Sequence, residues 1–255
     1  MLAEDPAPRG VANQCLLRCN AVRKLVAWLV HLYTATGLLC CAGMAVLIVQ
    51  GGETAFRWAF FLMMITTAID ATDGWLARKA DVTSVLPGFD GRALDHLIDF
   101  HAYTSLPLLL LWRAAVLPDG LSSLLLVPLL ASAYGFSQVE SKTHDGYFLG
   151  FPSYWNVVAF YLYTLRPPTA FSVAALIVFA VLTFVPTPYI YATRGGRFAT
   201  TINAGAAIWF VLLAIALFGP AEYSTRVAAL SAIYPLIYLS LSAVVATQTG
   251  PRSAR

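Results

Sequence analysis

The chain has 255 residues, 59% of them hydrophobic and 11% charged, with a mean hydropathy of +0.71. Soluble domains carry about 25% charged residues, so an ordinary soluble globular domain is excluded and a polytopic membrane protein is expected. The net charge of +3 is spread over short loops, which excludes the basic face that nucleic-acid binding needs.

The first 20 residues are polar, contain Pro6 and Pro8, and lack the short apolar core of a cleavable signal peptide. Residues 15–29 (CLLRCNAVRKLVAWL) mix Arg18, Arg23 and Lys24 with apolar side chains. That pattern suits either an amphipathic helix lying in the interface or an N-terminal extension of the first span. A spanning helix needs about 20 apolar residues. Eight segments qualify in chain order: 30–50, 56–78, 92–112, 121–139, 149–165, 170–192, 201–219 and 224–246. The fifth is the shortest and starts near Pro152.

The expected fold is therefore all-α: a polytopic integral membrane bundle of about eight transmembrane helices. Its expected divisions are a cytoplasmic N-terminus with the amphipathic segment (1–29), a transmembrane domain (30–246) and a cytoplasmic tail (247–255). With eight spans the side holding both termini receives twelve Lys and Arg residues and the opposite side four. Basic loops stay inside, so both termini and the loop between the second and third spans are expected in the cytoplasm. Cys15, Cys19, Cys40 and Cys41 match no zinc or disulfide pattern.

The loop ends of spans two and three carry the chemistry. Asp70, Asp73, Gly74, Ala77 and Arg78 are followed, after twelve residues, by Gly91, Asp95 and Asp99. Positions three and four apart share a helix face, so each set forms a stripe, and the connecting loop lets the stripes meet. Carboxylates in apolar surroundings are costly and are functional candidates by default. Divalent cations with oxygen ligands would relieve their repulsion. Gly74, Ala77 and Gly91 lack bulk, so a pyrophosphate can approach the backbone, and Arg78 at the rim can hold a phosphate. Small residues also serve helix packing, and buried carboxylates also line cation or proton pathways, so a cation or proton transporter is an alternative of another class.

The eight residues Asp70, Asp73, Gly74, Ala77, Arg78, Gly91, Asp95 and Asp99, set over 30 positions, resemble the signature of the CDP-alcohol phosphotransferase family. The twelve-residue spacer is longer than usual in that family and is similar to its bacterial phosphatidylcholine synthase branch, as is the stretch 132–163 (SAYGFSQVESKTHDGYFLGFPSYWNVVAFYLY). The resemblance implies transfer of a phosphatidyl group from CDP-diacylglycerol to choline, giving phosphatidylcholine and CMP. It implies that Asp70, Asp73, Asp95 and Asp99 hold Mg²⁺ or Mn²⁺, two ions in all, with Asp99 also the general base. Gly74, Ala77, Arg78 and Gly91 match the CDP-binding positions. The implied location is the bacterial inner membrane, among membrane lipids, with room for a homodimer. The alternative within the family is another alcohol: glycerol 3-phosphate, serine or inositol.

A quaternary ammonium is recognised by aromatic faces and a carboxylate. Nine aromatic or acidic residues lie between Tyr134 and Trp155. Tyr103, one turn beyond Asp99, together with Glu140, Tyr147 and Trp155, are the candidate choline-binding residues. The competing role for each aromatic is an interfacial belt. His96 and His101 lie off the acidic stripe and are expected to pack. Arg194 and Arg197 are expected to anchor topology or bind lipid phosphates.

Overall fold

The computed structural model describes residues 9–138, 147–191 and 199–249. Helix α1 (Arg9–Gln50) is a single rod of 42 residues, about 63 Å long at 1.5 Å per residue. Segment 15–29 therefore runs into the first span without a break. Its residues 20–26 stay exposed, and burial begins at Ala27. From there Ala27, Val30, Thr34, Gly37, Cys41, Met44 and Ile48 recur at spacings of three and four, forming one buried stripe.

Gly51 and Gly52 turn the chain into α2 (Glu53–Lys79). Both have positive φ, +72° and +89°, and a Cβ on Gly51 would stand 2.6 Å from Arg113 Nη2. Glycine is the residue that tolerates both demands. Arg78 and Lys79 close α2, where cations favour the negative end of the helix dipole. A short α3 (Val82–Val85) packs Val82 against Ala27 and Val30 at the foot of α1.

The third rod is composite. Helix α4 (Gly91–Asp99) starts at Asp90, whose side chain accepts from the backbone N–H groups of Arg92 and Ala93. This N-cap satisfies donors that have no partner inside the helix. A π turn (Phe100–Ser105) and α5 (Leu106–Arg113) continue the rod. A 3₁₀ segment (Asp119–Leu125) leads into α6 (Leu126–Ser137).

Among the described residues, two short strands interrupt the helices, which the apolar segmentation did not anticipate. β1 (Tyr147–Leu149) pairs antiparallel with β2 (Pro188–Ile190), with Phe148 opposite Tyr189. Between them lie α7 (Trp155–Leu165) and α8 (Thr169–Phe184). The eleven residues of α7 reach about 17 Å, less than the hydrocarbon core of about 30 Å. The fifth expected span is thus partly extended chain, and the sixth stops being helical before residue 185. Helices α9 (Ala199–Phe218), α10 (Ala221–Ser231) and α11 (Ile233–Thr249) complete the bundle.

Among the described residues, four helical stretches are long and apolar enough to cross a membrane: Asn20–Gln50, Asp119–Ser137, Thr200–Phe218 and Ala221–Gln248. Large apolar side chains point outward on them, among them Leu39, Val46, Leu130 and Ile208, as a lipid-facing surface requires. The protein is a multi-pass helical membrane protein.

Candidate active site

Helices α2 and α4 bring their acidic stripes together. Carboxylate oxygens of Asp70, Asp95 and Asp99 lie within 4.8 Å of one another, each residue half-buried. The spacing of three and four along each helix supplies the local register, and the loop reversal supplies the meeting. Asp73, also on α2, is buried against α1, where it accepts a 2.9 Å hydrogen bond from Thr34 Oγ1. It is close enough to Asp70 and Asp95 to feel both. Carboxylates this close cannot all ionise unless a cation sits among them. An oxygen-only donor set on two rigid helices fits a hard divalent cation, so this cluster could bind a metal ion.

The π turn after Asp99 carries Tyr103, whose hydroxyl donates a 2.8 Å hydrogen bond to Asp70 Oδ2. π turns are rare and recur at functional sites because they re-aim side chains. The small residues of the motif have distinct neighbours. A Cβ on Gly74 would meet Arg78 Nη1 at 3.4 Å, so the exposed guanidinium folds back over that glycine. Ala77 packs against the Ala27–Val30–Val82 cluster. A Cβ on Gly91 would meet His31 Cε1 at 2.5 Å, so the imidazole occupies the space that the glycine leaves.

On the opposite side of the acids a cavity of about 340 Å³ opens between α2, the composite rod, α7, α9 and α11. Asp70 and Asp99 are on its wall, with Tyr103, Tyr154, Tyr191 and Tyr238. The Tyr103 and Tyr154 rings are 6.3 Å apart and Tyr154 meets Tyr238 edge-on at 6.0 Å. Tyr238 donates to the carbonyl oxygen of Ile190 at 3.0 Å, which fixes its ring on β2.

The four residues picked out for choline fall in different places. Tyr103 lines the cavity. Trp155 does not: it is fully buried, donates from Nε1 to Ser132 Oγ at 2.6 Å and packs edge-on to Phe151. Tyr147 is not on the wall itself: it packs behind it, against a cluster of Ile190, Ile202 and Val245 of which the two isoleucines line the cavity. Glu140 lies outside the described residues, as do His144, Arg194 and Arg197. His96 and His101 are both exposed, and His96 lines the cavity near Phe136. Sequence reasoning passed over Tyr191 and Tyr238 and left Tyr154 unselected. The one available signal was the i, i+4 pair Tyr234 and Tyr238 on α11, both on the cavity wall.

No protein-family model matches the chain. Curated relatives do. A phosphatidylcholine synthase of Legionella pneumophila is 39% identical over 170 residues, 66% of this chain and 66% of the relative. One of Pseudomonas aeruginosa is 32% identical over 197 residues, covering 76% and 81%. One of Mesorhizobium japonicum is 31% identical over 218 residues, covering 83% and 80%. The chain thus spans just under two thirds of the Legionella relative's length and about four fifths of the other two.

Proposed function

The chain belongs to the phosphatidylcholine synthase family, and on that premise we propose that it is a transferase moving the phosphatidyl group of CDP-diacylglycerol to choline. The observation that carries this reading is the double role of Asp70 and Asp99, which are members of the acidic cluster and also wall residues of the aromatic cavity. A donor diphosphate held at the cluster and an ammonium alcohol held in the cavity would meet at these two side chains.

Asp70, Asp73, Asp95 and Asp99 would hold one or two divalent ions, Mg²⁺ or Mn²⁺. Such ions would neutralise charge on the diphosphate and on the departing CMP. The choline hydroxyl oxygen attacks the phosphorus that carries diacylglycerol. The bond from that phosphorus to the bridging oxygen breaks, and its electron pair leaves with CMP. Asp99 takes the hydroxyl proton, a task worth roughly 10²–10⁴-fold in rate. Tyr103 orients Asp70 through its hydrogen bond. Arg78, folded over Gly74, offers its guanidinium to a phosphate, with Ala77 and Gly91 beside it in the CDP-binding stretch.

The trimethylammonium group would lie against the rings of Tyr103, Tyr154, Tyr191 and Tyr238, each contact worth about 0.5–2 kcal/mol. The buried Trp155 and the displaced Tyr147 leave this set, whereas Glu140 stays in it as the sequence-level candidate for a carboxylate partner. Eight spans, both termini in the cytoplasm and the site at the inner leaflet of the bacterial inner membrane are supported by the twelve-to-four split of basic residues.

The test is an acceptor panel. Purified protein in detergent, given CDP-diacylglycerol and Mg²⁺, should release CMP with choline and form phosphatidylcholine in equal amount. Equal or faster turnover with serine, inositol or glycerol 3-phosphate would reject choline as the acceptor.

A further inference from the structure

Among the described residues, two buried side-chain polar atoms have no hydrogen-bond partner: His31 Nε2 and Thr104 Oγ1. Thr104 is a small hydroxyl inside the core. His31 is a whole imidazole, 6% exposed, held on three sides. Its ring centroid is 4.5 Å from that of Phe89 and 6.0 Å from that of Trp28. Its third neighbour is Gly91, where any side chain would strike the ring. The faces of the ring are well packed, but Nε2 is left without a partner. Buried polar groups in folded proteins are nearly always paired, and leaving one unpaired costs the desolvation of that group. A phenylalanine would fill the same space without that cost.

The position of His31 suggests what the nitrogen awaits. On α1 it lies one turn before Thr34, which binds Asp73, so the two residues share a face. The aromatic cavity reaches Asp70 and Asp99, whereas neither Asp73 nor Asp95 lies on its wall. The acidic cluster thus has two sides, one aromatic and one facing α1. If the acceptor's cation takes the aromatic side, the other half of the donor must leave the cluster on the α1 side. On that side Thr34 binds Asp73, and one turn earlier on α1 His31 covers Gly91, the first residue of the helix that carries Asp95 and Asp99.

We propose that His31 is a nucleotide-binding residue: Nε2 hydrogen-bonds the nucleoside half of CDP-diacylglycerol, where α1 meets the turn before α4 and its first residue, Gly91. The assignment rests on the transferase reading above. Phe89, 37% exposed on the connecting turn, is the neighbour that moves aside as the nucleoside enters.

The experiment measures CDP and inorganic pyrophosphate binding by calorimetry, with Mg²⁺, on the full chain in detergent. Thermal unfolding is recorded in parallel. His31→Phe should fold with an unchanged or higher midpoint, since it removes an unpaired buried nitrogen, lose about tenfold in CDP affinity, as one lost hydrogen bond predicts, and keep its pyrophosphate affinity. His31→Gln, whose amide reaches the Nε2 position, should bind CDP within about threefold of wild type, by the same hydrogen-bond argument. If His31→Phe unfolds, His31→Gln against His31→Leu carries the same comparison. CDP binding by the Phe or Leu variant equal to wild type overturns the assignment alone, as does an equal loss for CDP and pyrophosphate. Wild-type protein that fails to bind CDP overturns the transferase reading together with it.

Discussion

Tyr103 Oη donates to Asp70 Oδ2 at 2.8 Å across 33 positions of sequence. This bond ties the π turn in the middle of the composite rod to α2 and joins the acidic cluster to the aromatic cavity. Hydrogen bonds to charged groups contribute about 1.5–3 kcal/mol. Tyr103→Phe keeps the ring on the cavity wall and removes the donor. It should lower kcat/KM by roughly tenfold to a hundredfold and leave the choline KM nearly unchanged. Steady-state kinetics with choline and donor varied separately checks both halves.

Asp99 belongs to the acidic cluster and also stands on the cavity wall. Asp99→Asn is nearly isosteric but a far weaker base. Turnover should fall by at least about 10²-fold, while CDP binding persists through Asp70, Asp73 and Asp95. Paired turnover and calorimetry measurements decide it, and retained turnover would remove Asp99 as the base.

Tyr154 and Trp155 are neighbours in sequence with opposite surroundings. Tyr154→Leu and Tyr238→Leu should each raise the choline KM by about 3- to 30-fold, the worth of one aromatic face, without changing the donor KM. Trp155→Phe should leave the choline KM alone. It should instead cost about 1 kcal/mol or more of stability, because Ser132 loses its buried partner. Choline kinetics and thermal unfolding on the three variants separate the two roles.

Metal removal should abolish CMP release, and Mg²⁺ or Mn²⁺ should restore it. A ligand that binds only the folded state raises apparent stability. Mg²⁺ should therefore raise the unfolding midpoint of wild type and fail to do so for Asp95→Asn. An equal rise in both proteins would detach the ion from this cluster.

Gly51 has φ +72°, a backbone conformation that residues with a Cβ rarely adopt, and a Cβ there would also displace the Arg113 guanidinium. Gly51→Ala should destabilise the α1–α2 turn by about 1–3 kcal/mol, the usual cost of such backbone strain. The substitution lies at the far end of α2 from the acids, so the KM values should stay as in wild type. Thermal unfolding with kinetics at a permissive temperature tests this.

The acidic half of the site was readable from the chain because its information is local. Three- and four-residue spacing puts Asp70 with Asp73 and Asp95 with Asp99 on shared faces, and one short loop brings the faces together. The helical membrane class was readable for a similar reason: apolar composition over about 20 residues needs no partner to be recognised. The two strands were not readable, since three-residue segments carry too little pattern and depend on pairing across some 40 positions.

The cavity proposed for the acceptor was legible only as an excess of aromatics. Tyr103, Tyr154, Tyr191 and Tyr238 reach one cavity from four separate segments, while the adjacent Trp155 turns into the core to meet Ser132. Which aromatic faces the cavity depends on how α7 starts and where β2 docks on α11. The same holds for His31, whose place over Gly91 follows from the packing of α1 on α4. Helical periodicity is written in neighbouring residues, so composition and spacing sufficed for the fold class and the acids. The cavity wall is built from contacts distant in sequence, so only the packed chain could say which rings line it.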